Sequence, residues 1–206
     1  MSDAARKWPG CERLGLEPEV QVLVPTRDGS AMVQTMVALG RIGLHLPVPS
    51  HVWWQQASNI PRCRNDLVYG LRKDIKRDRA WCLWVDSDIF LTDLRPVLAA
   101  IERSFQTGEG FTAEYRMGDG RSHCMRAKSL DPEVASNYSH EEIEAADPWM
   151  RIGQCGFGFL FLPMDLTYKF YADFAGEDVR YWLDHPEQEV GLAKDILLRH
   201  VKTVWL

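Results

Sequence analysis

Trp81-Cys82-Leu83-Trp84-Val85 is a continuous apolar run that ends on Asp86-Ser87-Asp88, and this junction constrains the chain more than any other part of it. Five apolar residues in succession read as a strand buried on both faces, which belongs in a sheet covered by helices. Two carboxylates one residue apart at the edge of such a core are too costly to leave uncompensated. Their ordinary fates are ion pairing, capping of the next segment, or cation binding. Hard divalent cations prefer oxygen ligands, and Mg²⁺ takes one or two carboxylates and completes its shell with water and substrate phosphates. Asp-x-Asp alone is a common triplet, and Asp88 could equally serve as a simple cap. Its place at the carboxyl end of a strand, where open α/β sheets put their ligands, is what singles it out.

The 206 residues suffice for one α/β domain with a full core and are few for two. A net charge of −5 gives no bulk attraction to nucleic acid or anionic membrane. The five cysteines, Cys11, Cys63, Cys82, Cys124 and Cys155, are odd in number and form no Cys-x-x-Cys pair. That pattern argues against a disulfide framework or structural zinc and fits a reducing cytoplasm. Residues 1–18 are polar and broken by charges, so they are expected to be flexible or peripheral, and no apolar run approaches a membrane span.

Along the chain, Val20-Gln21-Val22-Leu23-Val24 reads as a strand, stopped by Pro25 and followed by the polar turn Thr26-Arg27-Asp28-Gly29-Ser30. Ser30 can cap a helix in which Met32, Val33, Met36 and Val37 recur with helical spacing. A second strand is expected near 48–54, a helix on Leu67, Val68, Leu71 and Ile75, and another on Leu94, Val97, Leu98, Ile101 and Phe105. The stretch 116–150 is polar and weakly periodic, which predicts a long, partly mobile excursion of the kind where a substrate is chosen. Gly156 to Leu162 reads as a glycine-punctuated buried strand, Leu166, Phe170 and Phe174 as a helix, and the last segment ends near His200. Alternating strands and helices without a boundary predict one domain over 1–206, a three-layer α/β/α sandwich on a mostly parallel mixed sheet.

Several separated features, taken in order, resemble the GT-A-fold glycosyltransferases, the nucleotide-diphospho-sugar transferases of the family 2 type, over nearly the whole chain from Val20 onward. Val24-Pro25-Thr26 is similar to their first strand end, Pro61 to Val68 with Arg64-Asn65 to the helix start before the metal strand, and Asp86-Ser87-Asp88 to the metal motif. Gly153 to Gly158 resembles their glycine loop, Glu177-Asp178 their late acidic pair, and His200 their carboxyl-terminal histidine. Tyr181-Trp182 departs from the Phe-Cys that often follows the acidic pair, and the segment between the metal motif and the glycine loop matches nothing in the family.

The resemblance implies a metal-dependent, inverting transfer of a sugar from a nucleotide diphosphate donor, a UDP-sugar, to a hydroxyl acceptor. Mn²⁺ or Mg²⁺ would be held by Asp86, Asp88 and His200, and the donor would be met by Pro25, Thr26, Arg27, Arg62, Asn65, Asp86 and Gly156. Asp178 would take the acceptor's proton, with Glu177 beside it. Each residue also has a plainer reading. Glu177 and Asp178 would suit a helix amino terminus, the glycines a crowded core strand, a lone His near a chain end the surface, and Arg27, Arg62 and Arg64 solvent.

Rival chemistries are weaker. A haloacid-dehalogenase-type phosphatase also opens on Asp-x-Asp after an apolar strand, but needs Thr or Val where Phe90 stands. A sugar nucleotidyltransferase shares the architecture but carries a basic glycine-rich loop after its first strand, of which Thr26-Arg27-Asp28-Gly29 is a poor version. A non-catalytic sugar-nucleotide binder would have little use for Asp86, Asp88, Asp178 and His200 together. A transferase acting on modified DNA bases would use Arg116, Arg121, Arg126 and Lys128 on phosphates and bind with strong salt dependence.

Overall fold

The computed structural model describes residues 19–27, 29, 31, 33–46, 48–57, 59–74, 80–115, 122–127, 136–167, 190–196 and 198–200. Strand β1 (Glu19–Thr26) leads through helix α1 (Val33–His45) to β2 (Ser50–Gln56), and helix α2 (Ile60–Asp74) leads to β3 (Ala80–Val85). After the Asp86–Asp88 turn come β4 (Ile89–Leu91), α3 (Arg95–Thr107) and β5 (Gly110–Thr112). The short helix α4 (His140–Ala145), β6 (Trp149–Ile152), β7 (Phe159–Pro163), α5 (Met164–Thr167), β8 (Val190–Ala193) and β9 (Leu198–His200) complete the described chain.

Seven strands form one sheet in the order β2-β1-β3-β7-β5-β8-β6, and β4 pairs with β9 in a separate ladder. β1 runs parallel to both β2 and β3, and β5 parallel to β8, while β7 and β6 run against their neighbours. Five strands therefore point one way and two the other, the mixed, mostly parallel sheet that the sequence predicts.

Side-chain alternation along each strand assigns the two faces. Val20, Val22, Val24, Leu83, Val85, Phe159 and Phe161 meet Ala38, Leu39 and Ile42 of α1 and Val97, Ile101 and Phe105 of α3 on one face. Leu23, Cys82, Trp84, Leu160, Leu162, Val190 and Leu192 meet Leu67, Val68 and Leu71 of α2 and Ile143 of α4 on the other. Helix, sheet and helix thus make three layers. No helix among the described residues is long and apolar enough to cross a membrane.

The first crossover helix lies on one face and the second on the opposite face, so the chain changes sides between β1 and β3. Their carboxyl ends flank the crevice that such a reversal opens. Burial closes off reactivity elsewhere: the four described cysteines are free and buried, and desolvation pushes the thiols of Cys82 and Cys124 up to about 12.

Two details differ from the sequence reading. Helix α1 forms as expected, but Val33 and Val37 are 73% and 55% exposed, and the packed face is Thr35, Ala38, Leu39 and Ile42. Both stripes have helical spacing. The Thr35 hydroxyl donates to the Ile89 carbonyl at 2.6 Å, and this buried anchor, next to the small Ala38, sets which stripe faces the sheet. The described part of 116–150 is also a built platform rather than loose chain. Met125 bridges both Asn137 and Gln154, Tyr138 N–H donates to Cys124 O at 3.0 Å, and Gly153 N–H to Met125 O at 3.0 Å. Ser139 caps α4 reciprocally with Glu142, and Glu142 also holds Arg126, whose guanidinium lies 4.5 Å from the centre of the Tyr138 ring.

Candidate functional site

The main chain fixes the acidic turn first. Asp86 N–H donates to Gly158 O at 2.8 Å, extending the β3–β7 ladder by one residue, and Ile89 N–H returns to Asp86 O at 3.1 Å. This closes a tight turn with Ser87 and Asp88 at its tip, and all three side-chain positions are half-buried. β4 leaves the turn and pairs antiparallel with β9, which sets the main chain of His200 opposite Ile89, beside Asp88. The main chains of the acidic turn and of residue 200 therefore adjoin in one small ladder. The His200 side chain lies outside the described residues.

Asp86 is held from below. Arg64 of α2, its side chain only 7% exposed, places Nη2 3.1 Å from Asp86 Oδ1, and the carboxylate itself is 28% exposed. The guanidinium also lies 5.6 Å from the centre of the Phe157 ring. Arg62 is exposed, 4.0 Å from Asp66, and Arg27 is exposed, whereas Arg64 is brought to Asp86. The signal for it was available. Positions 64, 67, 68 and 71 share the inward face of α2, so an arginine at 64 must go under the sheet edge. Asn65 is half-buried on the same turn.

Thr26 is fully buried, and its hydroxyl accepts the Gly29 N–H at 2.8 Å. Gly29 has φ 79°, a left-handed conformation natural to glycine, which lets the chain turn sharply after Pro25-Thr26 at the mouth of the crevice. Gly158 has a different reason to be glycine. A Cβ there would stand 2.4 Å from the Tyr115 hydroxyl and 3.0 Å from Asp86 Oδ2. Gly153 is pressed against the backbone of Ala127, at 2.5 Å from its Cα. Packing within the protein therefore accounts for Gly153 and Gly158, and Gly156 between them is half-buried.

Tyr115 was not singled out by the sequence. Its hydroxyl accepts the Gly158 N–H at 3.2 Å, and its ring stacks on the buried His123 at 3.8 Å and 12°. The Thr112 hydroxyl donates to Phe159 O at 2.6 Å, so it accepts from His123 Nε2 at 3.2 Å. This stack ties the end of β5 to Gly158 and, through it, to Asp86. Nothing local in the sequence announces it, because the partners are far apart in the chain.

Glu177 and Asp178, expected as the acceptor-side acids, lie outside the described residues, as do Arg116, Arg121 and Lys128 of the basic cluster. Of that cluster Arg126 is described, and its guanidinium pairs with Glu142 at the surface. Among the described residues no three His, Cys, Asp or Glu side chains gather into a cation cage. Two half-buried carboxylates on a main-chain-fixed turn, one of them backed by an arginine, nevertheless fit a Mg²⁺ or Mn²⁺ ion that draws most of its shell from phosphate and water.

No family model matches the chain and no curated protein matches it. Among solved structures it is similar to GalNAc-T7 crystallised with UDP, GalNAc and Mn²⁺, at 8% identity over 90% of this chain and 44% of the other, with a TM-score of 0.46. It is also similar to the UTP-bound UGPase of Acinetobacter baumannii, at 10% identity over 92% and 73%, TM-score 0.44. A third is mannosyl-3-phosphoglycerate synthase of Rubrobacter xylanophilus, at 13% identity over 80% and 58%, TM-score 0.41. The chain thus spans under half the length of the first of these structures. At such identities function has to be argued from the site.

Proposed function

We propose that this chain is a metal-dependent glycosyltransferase that moves a sugar from a nucleotide diphosphate donor, a UDP-sugar, to a hydroxyl acceptor with inversion at the anomeric carbon. The observation that carries the reading is the Asp86–Asp88 turn at the β1–β3 crevice, with Arg64 beneath Asp86 and the main chain of His200 alongside. Asp88 and Asp86 would hold Mn²⁺ or Mg²⁺ with His200, and Thr26, Arg64 and Asn65 would line the nucleotide side. The cation, when bound, offsets charge developing on the departing diphosphate. Arg64 orients Asp86, and the closed turn presents Asp88 without further rearrangement.

Thermal melting with UDP, with and without Mn²⁺, tests the reading. At a hundred times the dissociation constant, binding stabilises the folded state by about 2.7 kcal/mol, and each kcal/mol moves the midpoint by about 2–4 °C in a chain of this size. A shift that needs both UDP and Mn²⁺ and vanishes in Asp88→Asn is the expected result. Absence of any shift sinks the donor site. Pyrophosphate release from UTP and a sugar 1-phosphate would move the chain to the nucleotidyltransferases, and a product that keeps the donor's anomeric configuration would reject inversion.

A further inference from the structure

The two edges of the seven-stranded sheet are finished differently. At the β6 edge the exposed Arg151 lies 3.5 Å from Glu109 Oε1, and the Arg103 guanidinium sits 4.4 Å from the centre of the Trp149 ring. Charges of this kind keep an edge from pairing with another chain. The β2 edge, Ser50-His51-Val52-Trp53-Trp54-Gln55-Gln56, carries no Lys, Arg, Asp, Glu or Pro along its whole length, about 23 Å. Among the described residues no strand pairs with its outer side. The direction of its main-chain groups follows from register. Val20 N–H donates to Pro49 O at 2.9 Å and Ala57 N–H to Thr26 O at 3.1 Å, so positions 51, 53 and 55 turn toward β1 as well. Val52 and Trp54 turn their N–H and C=O groups outward.

The side chains at this edge are apolar too. Val52 and Trp54 stand opposite Val22 and Val24, on the face that carries α1. Of the seven large apolar side chains exposed among the described residues, six gather on these two elements: Val52 and Trp54 on the strand, and Val33, Met36, Val37 and Leu44 on the helix. A Cβ on Gly43 would stand 3.0 Å from Ser50 Oγ, which sets that flank of α1 over the start of β2. Apart from Arg41 and the terminal His45, α1 has no ionisable side chain. A helix apolar on its outer side as well as its inner one belongs under a cover.

We infer that the outer edge of β2, with the apolar side of α1 above it, pairs with the same edge of a second copy of this chain about a twofold axis. Antiparallel pairing centred on Trp53 makes the strand its own complement. It sets Val52 opposite the partner's Trp54, His51 opposite the partner's Gln55 and Ser50 opposite the partner's Gln56. Apolar meets apolar and polar meets polar, and no like charges face each other. The outward groups of Val52 and Trp54 then occupy the hydrogen-bonded positions of the new ladder. Facing residues of a ladder point to the same side of a sheet, so both α1 helices lie on one side and flank the row of Val52 and Trp54. A foreign strand would find the same main-chain groups; the mirrored order of side chains about Trp53 favours this strand itself, as an isologous contact requires.

The test is the oligomeric state of the full chain. Sedimentation and light scattering at micromolar concentration should give twice the 23.6 kDa of one chain. Val52 is 49% exposed, so Val52→Lys leaves the single chain folded, by unchanged far-UV circular dichroism, while the mass falls to that of one chain. Trp54→Lys should do the same, and Tyr69→Lys, at an exposed position of α2, should leave the dimer intact. Combining His51→Cys with Gln55→Cys places thiols on facing positions whose Cα atoms are about 4.5 Å apart across the seam, within disulfide reach. Within one strand the same two positions are about 13 Å apart. Mild oxidation should therefore give a covalent dimer that the wild type does not form. A wild type that is monomeric at every concentration overturns the inference, as does a dimer that survives both lysine variants. A dimer that the lysine variants abolish but the thiols fail to trap rejects the strand pairing. A monomer whose Val52 and Trp54 amides exchange slowly until residues 1–18 are removed would give the edge to this chain's own amino-terminal segment.

Discussion

The half of the molecule built from β1 to β4 and the platform of residues 122–127 and 136–152 both carry paired charged side chains, but they hold them by different physics. In the first half the charge is anchored from inside: Arg64 is nearly buried and meets a partly buried carboxylate. In the platform the ion pairs lie outside. Arg126 and Glu142 are 40% and 45% exposed, and the segment is held by bridges and a capping box around Met125 and Ser139. Buried pairs are costly to break and exposed pairs contribute little. The acidic turn is therefore preorganised by the core, while the platform is fastened at its surface and can be remodelled without touching the sheet.

The largest difference should appear on removing the arginines. Arg64→Ala leaves Asp86 without its guanidinium, and it takes the packing over Phe157 with it. Breaking a fully buried pair costs about 3–5 kcal/mol, and the partial exposure of Asp86 lowers that to about 2–3 kcal/mol. Urea unfolding should register this as a lower midpoint with unchanged slope. Arg126→Ala should leave the global midpoint within error. Equal effects from the two would dissolve the contrast.

The contrast also explains how much could be read from sequence. Strand runs such as Val20–Val24 and Trp81–Val85, and the helices that come after them, carry their own periodicity, and the acidic turn sits at a punctuation mark between them. What was missed depends on tertiary pairing. β5 and β8, of three and four residues, are too short to show alternation, and β6 gave no signal within a polar stretch. The inward stripe of α1 was chosen by the Thr35 anchor rather than by hydrophobicity. Tyr115, His123 and the Glu114–His140 pair come together only when β5 is placed beside β7, so no local pattern points to them.

A smaller effect separates the two glycines. Gly158→Ala pushes a methyl group into the Tyr115 hydroxyl and toward Asp86, and Gly153→Ala into the backbone of Ala127. Overpacking of this kind costs about 1–3 kcal/mol, so both variants should lose stability by a similar amount. Only Gly158→Ala should also lose the melting shift with UDP and Mn²⁺, because it disturbs the carboxylate row. If Gly153→Ala lost that shift as well, platform and acidic turn would be one mechanical unit.

The smallest effect is the acid response of the platform. The Arg126 guanidinium hydrogen-bonded to Glu142, with the Ser139 N–H adding to it, lowers that carboxyl from 4.5 to about 2. A carboxyl whose folded value is depressed binds protons more readily when released, so its contribution is complete above the unfolded value. It is lost as pH falls through the folded value, here between about 4.5 and 2. Acidification should therefore loosen α4 and the Met125–Asn137 bridge. Amide exchange protection of Ile143 N–H, which donates to Ser139 O at 3.2 Å, should fall across this window. The Asp86 N–H, bonded to Gly158 O inside the sheet, should stay protected to lower pH unless the whole fold opens. In Glu142→Gln the platform's own response should flatten, since the group that titrates is gone. Simultaneous loss of protection at Ile143 and Asp86 in the wild type would show that the two regions do not open separately, and the surface fastening of the platform would have to be given up.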